Sequence, residues 1–186
     1  MKFFKKIKAD IKRYRLFHNP LKWPDYIHDN IVDYLIAKDF KYLENKKTHY
    51  IKISFGITES HSFYMDYYID GGSYFYRGVI MDGIPEERMR DAMVMASHIN
   101  NKLRFSNVFV DPDSKIICLI LKIDTPMCIH SPSLMHEMLG THYDECMFSF
   151  EAFEKLFQSD EDPVFIIAEI VERIKQKNKN QGNTAE

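Results

Sequence analysis

The densest run of residues that could do chemistry lies between Cys128 and Cys146. It holds potential metal ligands and nucleophiles, namely Cys128, His130, His136, Glu137, His142 and Cys146. A zinc ion needs four such groups that converge tetrahedrally, and His142 and Cys146 could share one face of a helix. His136 and His142 would diverge by roughly 120° on a helix. The run therefore indicates scattered histidines on a mostly surface helix more than it indicates a metal centre.

Two enzyme motifs can be compared with the same run. The stretch "HEMLG" begins like a zinc-protease motif, but Gly140 stands where that motif has its second histidine. A cysteine nucleophile needs a histidine and an orienting group nearby in space. Cys118 stands in a strand rich in isoleucine and is better explained as a core residue. We therefore expect no catalytic residue, no metal and no cofactor, and a metal- or thiol-dependent enzyme stays as an alternative.

Charge is divided unevenly along the chain. The 186 residues carry a net charge of −2, and residues 1–20 hold seven Lys or Arg and one Asp, which gives 7 − 1 = +6 there and −2 − 6 = −8 elsewhere. An acidic body repels phosphate backbones, so we expect no nucleic-acid binding. Three cysteines without paired spacing, and no apolar run of signal-peptide length, predict a cytoplasmic protein.

The first 17 residues predict a short basic amphipathic helix. Its apolar residues Phe3, Phe4, Ile7, Ile11 and Tyr14 follow helical spacing, with basic residues between them. Such a helix packs on the body or a partner, or it docks on anionic lipid. We favour packing because the apolar content is modest for membrane anchoring. A membrane-peripheral protein held by residues 1–17 is a second alternative.

Hydrophobic periodicity predicts the element order α-β-β-β-α-β-β-α. The pattern favours an α+β fold with a five-stranded antiparallel sheet, helices mainly on one face, and further helices at the termini. The predicted strands cover 49–56, 62–70, 73–81, 105–110 and 116–123. We divide the chain into a basic arm (1–24), an α+β domain (25–158), a C-terminal helix (159–178) and a disordered tail (179–186).

This order and two stretches of sequence resemble the YbjN family, regarded as sensory transduction regulators with the fold of type III secretion chaperones. The stretches are "IVDYLIAKDFKYLENKKTHYIKISF" and "ASHINNKLRFSNVFVDPDSKIICLILKID", and the resemblance covers roughly residues 26–157. The motif positions are occupied by Asn100, Asn101, Arg104, Phe105 and Asp111. Asp39 stands where the family often has glycine. The resemblance implies a chaperone-like fold and a habit of binding proteins, and it implies no catalytic residue.

Strand alternation predicts an aromatic contact surface on the sheet face that the helices leave uncovered. Its expected members are Tyr64, Asp66, Tyr68, Tyr74, Tyr76 and Ile120, with Met93 of the second predicted helix at the rim. Exposed apolar patches on soluble proteins usually mark contacts. We therefore predict a non-enzymatic protein-binding or regulatory module that forms a homodimer and binds a protein or peptide partner of unknown identity.

Overall fold

The computed structural model describes Ile7, Ile11 and residues 14–56, 62–70 and 72–182. In these ranges, helices cover one face of a six-stranded antiparallel sheet of order β1-β2-β3-β4-β6-β5. The strands β1 to β6 are Tyr42–Asn45, Tyr50–Gly56, Ser62–Asp70, Ser73–Met81, Asn107–Asp111 and Ile116–Asp124. The helices α1 to α5 are Trp23–Ala37, Met89–Asn100, Thr125–His130, Pro132–Gln158 and Pro163–Gly182. The α+β class with one covered sheet face is as predicted.

Three element assignments from the sequence were wrong. The sheet has six strands, because the four residues of β1 pair with β2 at an edge where little apolar patterning is needed. The short helix α3 separates β6 from α4. Helix α5 continues to Gly182, so residues 179–182, which were assigned to the tail, are helical.

The tight turn between β3 and β4 decides which side chains share a face of the sheet. Asp70 pairs with Ser73, and Gly72 has a φ of 80°, which glycine adopts at little cost. This two-residue turn places even-numbered residues of β3 beside odd-numbered residues of β4, such as Tyr68 beside Phe75. Tyr74 and Tyr76 therefore point towards the helices, where they are 0% exposed, and their predicted place on the uncovered face was wrong.

The core lies between the sheet and helices α1 to α4, with α5 packed outside on α2 and α4. Strand β6 contributes alternate residues that are fully or almost fully buried: Ile117, Leu119, Leu121 and Ile123. Helix α1 adds Ile27, Ile31 and Leu35 at one-turn spacing. The helix layer approaches β4 closely at Gly78, where an added Cβ would lie 2.5 Å from the Sγ atom of Cys146.

Candidate functional site

The cysteine–histidine run does not assemble a metal centre in the part of the chain that the structure describes. No three or more His, Cys, Asp or Glu residues there are placed to hold a metal ion. His142 and Cys146 do share a face of α4, as the spacing predicted, with 3.8 Å between Nε2 and Sγ. However, that face packs on the sheet and both residues are fully buried. The expectation of a surface helix was therefore wrong at His142.

His142 belongs to a buried polar cluster with Ser106 and Glu145. The Ser106 hydroxyl donates to the Glu145 carboxylate and lies 2.7 Å from Nδ1 of His142. Because that hydroxyl has one proton, we infer that Nδ1 of a neutral His142 donates to Ser106 Oγ. Burial lowers the pKa of His142 to about 3, which keeps the ring neutral at pH 7.

Glu145 ties the loop after α2 to helix α4. Its carboxylate accepts backbone N–H groups of Arg104, Phe105 and Ser106 at 2.5, 3.1 and 3.0 Å. These donors and the Ser106 hydroxyl satisfy a carboxylate that is almost fully buried. Although serine, histidine and glutamate meet here, the serine hydroxyl is enclosed between the other two. The cluster therefore holds the loop in place.

The cysteines show no sign of activation. Burial raises the pKa of the Cys128 thiol to about 12 and that of the Cys146 thiol well above its ordinary value. Burial also raises the pKa of Cys118. A nucleophilic cysteine needs its thiolate form, which a raised pKa disfavours. At neutral pH all three therefore behave as small core residues.

The sheet face opposite the helices, here called the open face, has no described helix packed on it. Helices α2, α3 and α4 contact strands β5, β6 and β4 from the core side. Strand pairing brings a set of side chains together at the middle of the open face, here called the central patch. Its members are Lys52, Tyr64, Asp66, Tyr68, Phe75, Arg77, Ile120 and Lys122. Leu43 and Phe109, both exposed, lie at the two edges of the open face.

An ion pair lies in the middle of the central patch. Arg77 donates to Oδ2 of Asp66 at 2.5 Å, and the Tyr50 hydroxyl donates to Oδ1. The Asp66 side chain is only 1% exposed, whereas that of Arg77 is 37% exposed. Burial, followed by the bond to Asp66, raises the pKa of Tyr50 to about 12. The carboxylate is thus enclosed, whereas the Arg77 side chain remains partly exposed.

Cations and aromatic rings alternate around this pair. Tyr68 and Phe75 stack with ring centroids 5.4 Å apart and planes 8° apart. The guanidinium of Arg77 lies 5.9 Å from the Tyr68 ring, and the ammonium of Lys122 lies 5.7 Å from the Phe75 ring. Lys52 lies 3.9 Å from the centroid of the Tyr64 ring. Such contacts hold three cations at defined places on an accessible surface.

The structure divides the predicted contact residues into three groups, and the first of them, Tyr74 and Tyr76, lies in the core. Tyr64, Asp66, Tyr68 and Ile120 lie on the open face, with Asp66 buried beneath its partners. Met93 is exposed on α2, in the helix layer. The sequence reasoning missed Phe75, Arg77, Lys52 and Lys122. The two-residue turn "Gly71-Gly72" was the signal that could have found the first two, because it fixes the relative faces of β3 and β4.

The family-motif residues are structural. The side-chain amide of Asn100 accepts a hydrogen bond from the N–H of Val108 at 2.7 Å and donates one to the C=O of Val108 at 3.1 Å. Asn100 therefore occupies part of the free edge of β5. Arg104 pairs with Glu137 at 2.9 Å and lies over the Phe105 ring. The remaining two, Asn101 and Asp111, bond the backbone of Ser97 and of residues 113 and 114.

The basic arm is described only in part. Phe3, Phe4 and the Lys residues at positions 2, 5, 6, 8 and 12 lie outside the described residues, whereas Lys22 is described and exposed. Ile7, Ile11 and Tyr14 are helical and are 38, 48 and 67% exposed. The indole N–H of Trp23 donates to the carbonyl of Leu16 at 2.9 Å, so the end of the arm is attached to the body.

Comparison with solved structures shows a likeness of fold. The structure matches that of YbjN, a proposed transcription regulator from E. coli, with a TM-score of 0.50 over 69% of this chain and 92% of that chain. The chain has a YbjN-like fold. Because sequence identity is 10%, the likeness to YbjN concerns the fold alone. No family model and no curated protein matches the chain. None of the described helices has the length and apolar character needed to cross a membrane.

Proposed function

We propose that the chain is a non-enzymatic, protein-binding module with a regulatory role, and that the open face is its contact surface. The observation that carries this proposal is the central patch, where half-buried aromatic, apolar and cationic side chains and the exposed Lys122 have no described helix above them. Patches of this composition are typical of protein contacts. The YbjN-like fold supports a regulatory role more than a catalytic one.

The enzyme alternative has little support from the run between Cys128 and Cys146. Buried thiols with raised pKa and a buried neutral His142 offer no group to a substrate. Elemental analysis of the purified protein tests this directly, and we expect no stoichiometric zinc. About one zinc per chain, lost in His142→Ala, would favour the enzyme alternative.

Affinity capture from native lysate with matched variants tests the proposal. Ile120→Lys and Tyr68→Lys place a charge on the open face, whereas Phe165→Lys makes the same change on α5, where the side chain is 66% exposed. Captured proteins are identified by mass spectrometry and then titrated in purified form. We expect a protein that binds wild type and Phe165→Lys and loses at least tenfold in affinity for both open-face variants. A partner lost only with Phe165→Lys would place the contact in the helix layer and overturn the proposal.

The homodimer that the sequence predicted stays a prediction. Light scattering of wild type and Ile120→Lys decides both whether the dimer exists and whether it uses the open face. A dimer unaffected by this substitution would use another surface.

Peripheral membrane binding is a second candidate function because Ile7, Ile11 and Tyr14 are exposed instead of packed on the body. An exposed apolar stripe within a segment of charge +6 suits an anionic lipid surface. Vesicles with 30% phosphatidylserine should sediment wild type but neither a chain lacking residues 1–13 nor Ile7→Glu with Ile11→Glu. The truncation keeps Leu16, which bonds Trp23. Equal sedimentation of all three proteins would exclude a role for the arm.

A further inference from the structure

We propose that the central patch binds a short acidic polypeptide segment, an inference that rests on the proposed protein-binding function. The patch contains three cations, Lys52, Arg77 and Lys122, and a single carboxylate. That carboxylate, Asp66, is enclosed by Arg77 and Tyr50, so it presents little charge to a ligand. Outside residues 1–20 the chain carries −8, so this local excess of positive charge distinguishes the patch.

The orientation of the rings favours carboxylates over nucleobases. Tyr68 and Phe75 lie on neighbouring strands and their ring planes are almost parallel. Each ring therefore covers the face of the other ring that points towards it. Arg77 and Lys122 lie near the two rings as well. Bases need free ring faces for stacking. Ring edges carry positive partial charge and complement an anion.

The size of the patch limits the ligand. It spans four strands and three rows of side chains, which is about 14 Å in each direction at ordinary strand and residue spacing. An extended segment of about five residues crosses that distance. The remaining carboxylates of the open face, Asp70, Asp111 and Asp124, lie at the ends of strands. They would repel a longer acidic chain, so the ligand is a short segment.

Apolar groups within the patch and beside it complete the expected recognition. Ile120 is half-buried between Arg77 of β4 and Asn107 of β5, and Phe109 is half-exposed on the edge strand. A segment that alternates acidic and apolar residues would meet the cations and these apolar groups together. A second copy related by a two-fold axis through the patch would instead bring like cations together, which is unfavourable.

Fluorescence polarisation with three labelled probes tests the inference. The probes are an alternating Glu–Leu hexapeptide, a Lys–Leu hexapeptide and hexauridylate. We expect wild type to bind the Glu–Leu peptide more tightly than the other two probes. The affinity for this peptide should fall at high salt, and it should be at least tenfold lower for the double variant Lys52→Glu with Lys122→Glu. The control, Lys102→Glu on the helix side, should change binding less than twofold. Circular dichroism checks that each variant is folded.

Several results would overturn the inference. The first is that wild type does not bind the Glu–Leu peptide. The second is that wild type and the double charge-reversal variant bind this peptide equally, and the third is that wild type binds the Lys–Leu peptide more tightly than the Glu–Leu peptide. Tighter binding of hexauridylate would indicate a nucleic-acid platform instead. The capture experiment uses Ile120→Lys and Tyr68→Lys, so the two proposals can fail separately. The remaining case is a captured protein that loses affinity for Ile120→Lys but binds the double variant Lys52→Glu with Lys122→Glu as tightly as wild type. That result would support the protein contact on the open face and exclude an acidic ligand.

Discussion

Replacing Gly78 by alanine is expected to destabilise the fold by about 3 kcal/mol. The new Cβ would lie 2.5 Å from Sγ of Cys146, well inside an ordinary contact, and 3.7 Å from Nε2 of His142. Both neighbours are fully buried on α4, so neither can move into solvent. Overpacking of a core typically costs about 1–3 kcal/mol, and a rigid neighbour places this case at the upper end.

Denaturant titration measures this cost, and the melting temperature provides a second readout. For a chain of this size about 3 kcal/mol corresponds to a fall of about 6–12 °C. Gly56→Ala is the matched control, because no atom lies within 4 Å of its added Cβ. The control should stay within about 1 kcal/mol of wild type.

A double-mutant cycle identifies the cause. Cys146→Ala alone removes a buried sulfur and should cost about 1 kcal/mol. Combined with Gly78→Ala, it gives the new methyl group the space of the sulfur, so the double variant should lie within about 1 kcal/mol of wild type. The coupling energy is then about 3 kcal/mol. Additive losses would refute the contact between β4 and α4. Full rescue would show that Cys146 is replaceable, as expected of a core residue without chemistry.

Substitutions at three further residues test the polar contacts. Burial holds the pKa of His142 at about 3, whereas an unfolded histidine titrates near 6.5, so only the unfolded chain gains this proton as pH falls below 6.5. Between pH 7 and 4.5 wild type should lose about 2–3 kcal/mol more stability than His142→Gln in urea titrations, and equal losses would contradict the burial. Glu145→Ala leaves three backbone N–H groups without their acceptor and should lower the free energy of unfolding by about 3–5 kcal/mol, and Glu145→Gln should lower it less. A decrease below about 1 kcal/mol in Glu145→Ala would show that other contacts hold the loop. Asn100→Leu removes two bonds to Val108 and should cost about 1–3 kcal/mol, with association through the bared edge of β5 visible by light scattering. Asn101→Leu, whose one bond is exposed, is its control and should be nearly neutral.

Elements with strong periodicity could be predicted from the sequence. The alternation from Ile117 to Ile123 and the one-turn spacing of Ile27, Ile31 and Leu35 require burial on one face, and the structure has them there. Strand β1 has neither pattern, because Glu44 reaches His28 of α1 at 2.8 Å and Leu43 is exposed. An edge strand of four residues gives too little signal to be found from its own sequence.

The candidate site was predictable only where local sequence determines it. Tyr64, Tyr68 and Ile120 follow from alternation, and attention to the two-residue turn would have replaced Tyr76 by Arg77. The buried Glu145 could not be foreseen. Its donors lie about 40 residues away in the chain, and nothing in its own neighbourhood marks a carboxylate that the fold will enclose.

Hydroxyl-radical footprinting of the chain alone and in complex with its captured protein tests the central claim most directly. The probes are aromatic and methionine side chains on both sides of the molecule: Tyr64, Tyr68, Phe75 and Phe109 on the open face, and Phe165 with Met93 in the helix layer. The open-face account predicts that oxidation falls at the first four residues and is unchanged at the last two. Protection of Phe165 and Met93 with unchanged oxidation of the open face would contradict it.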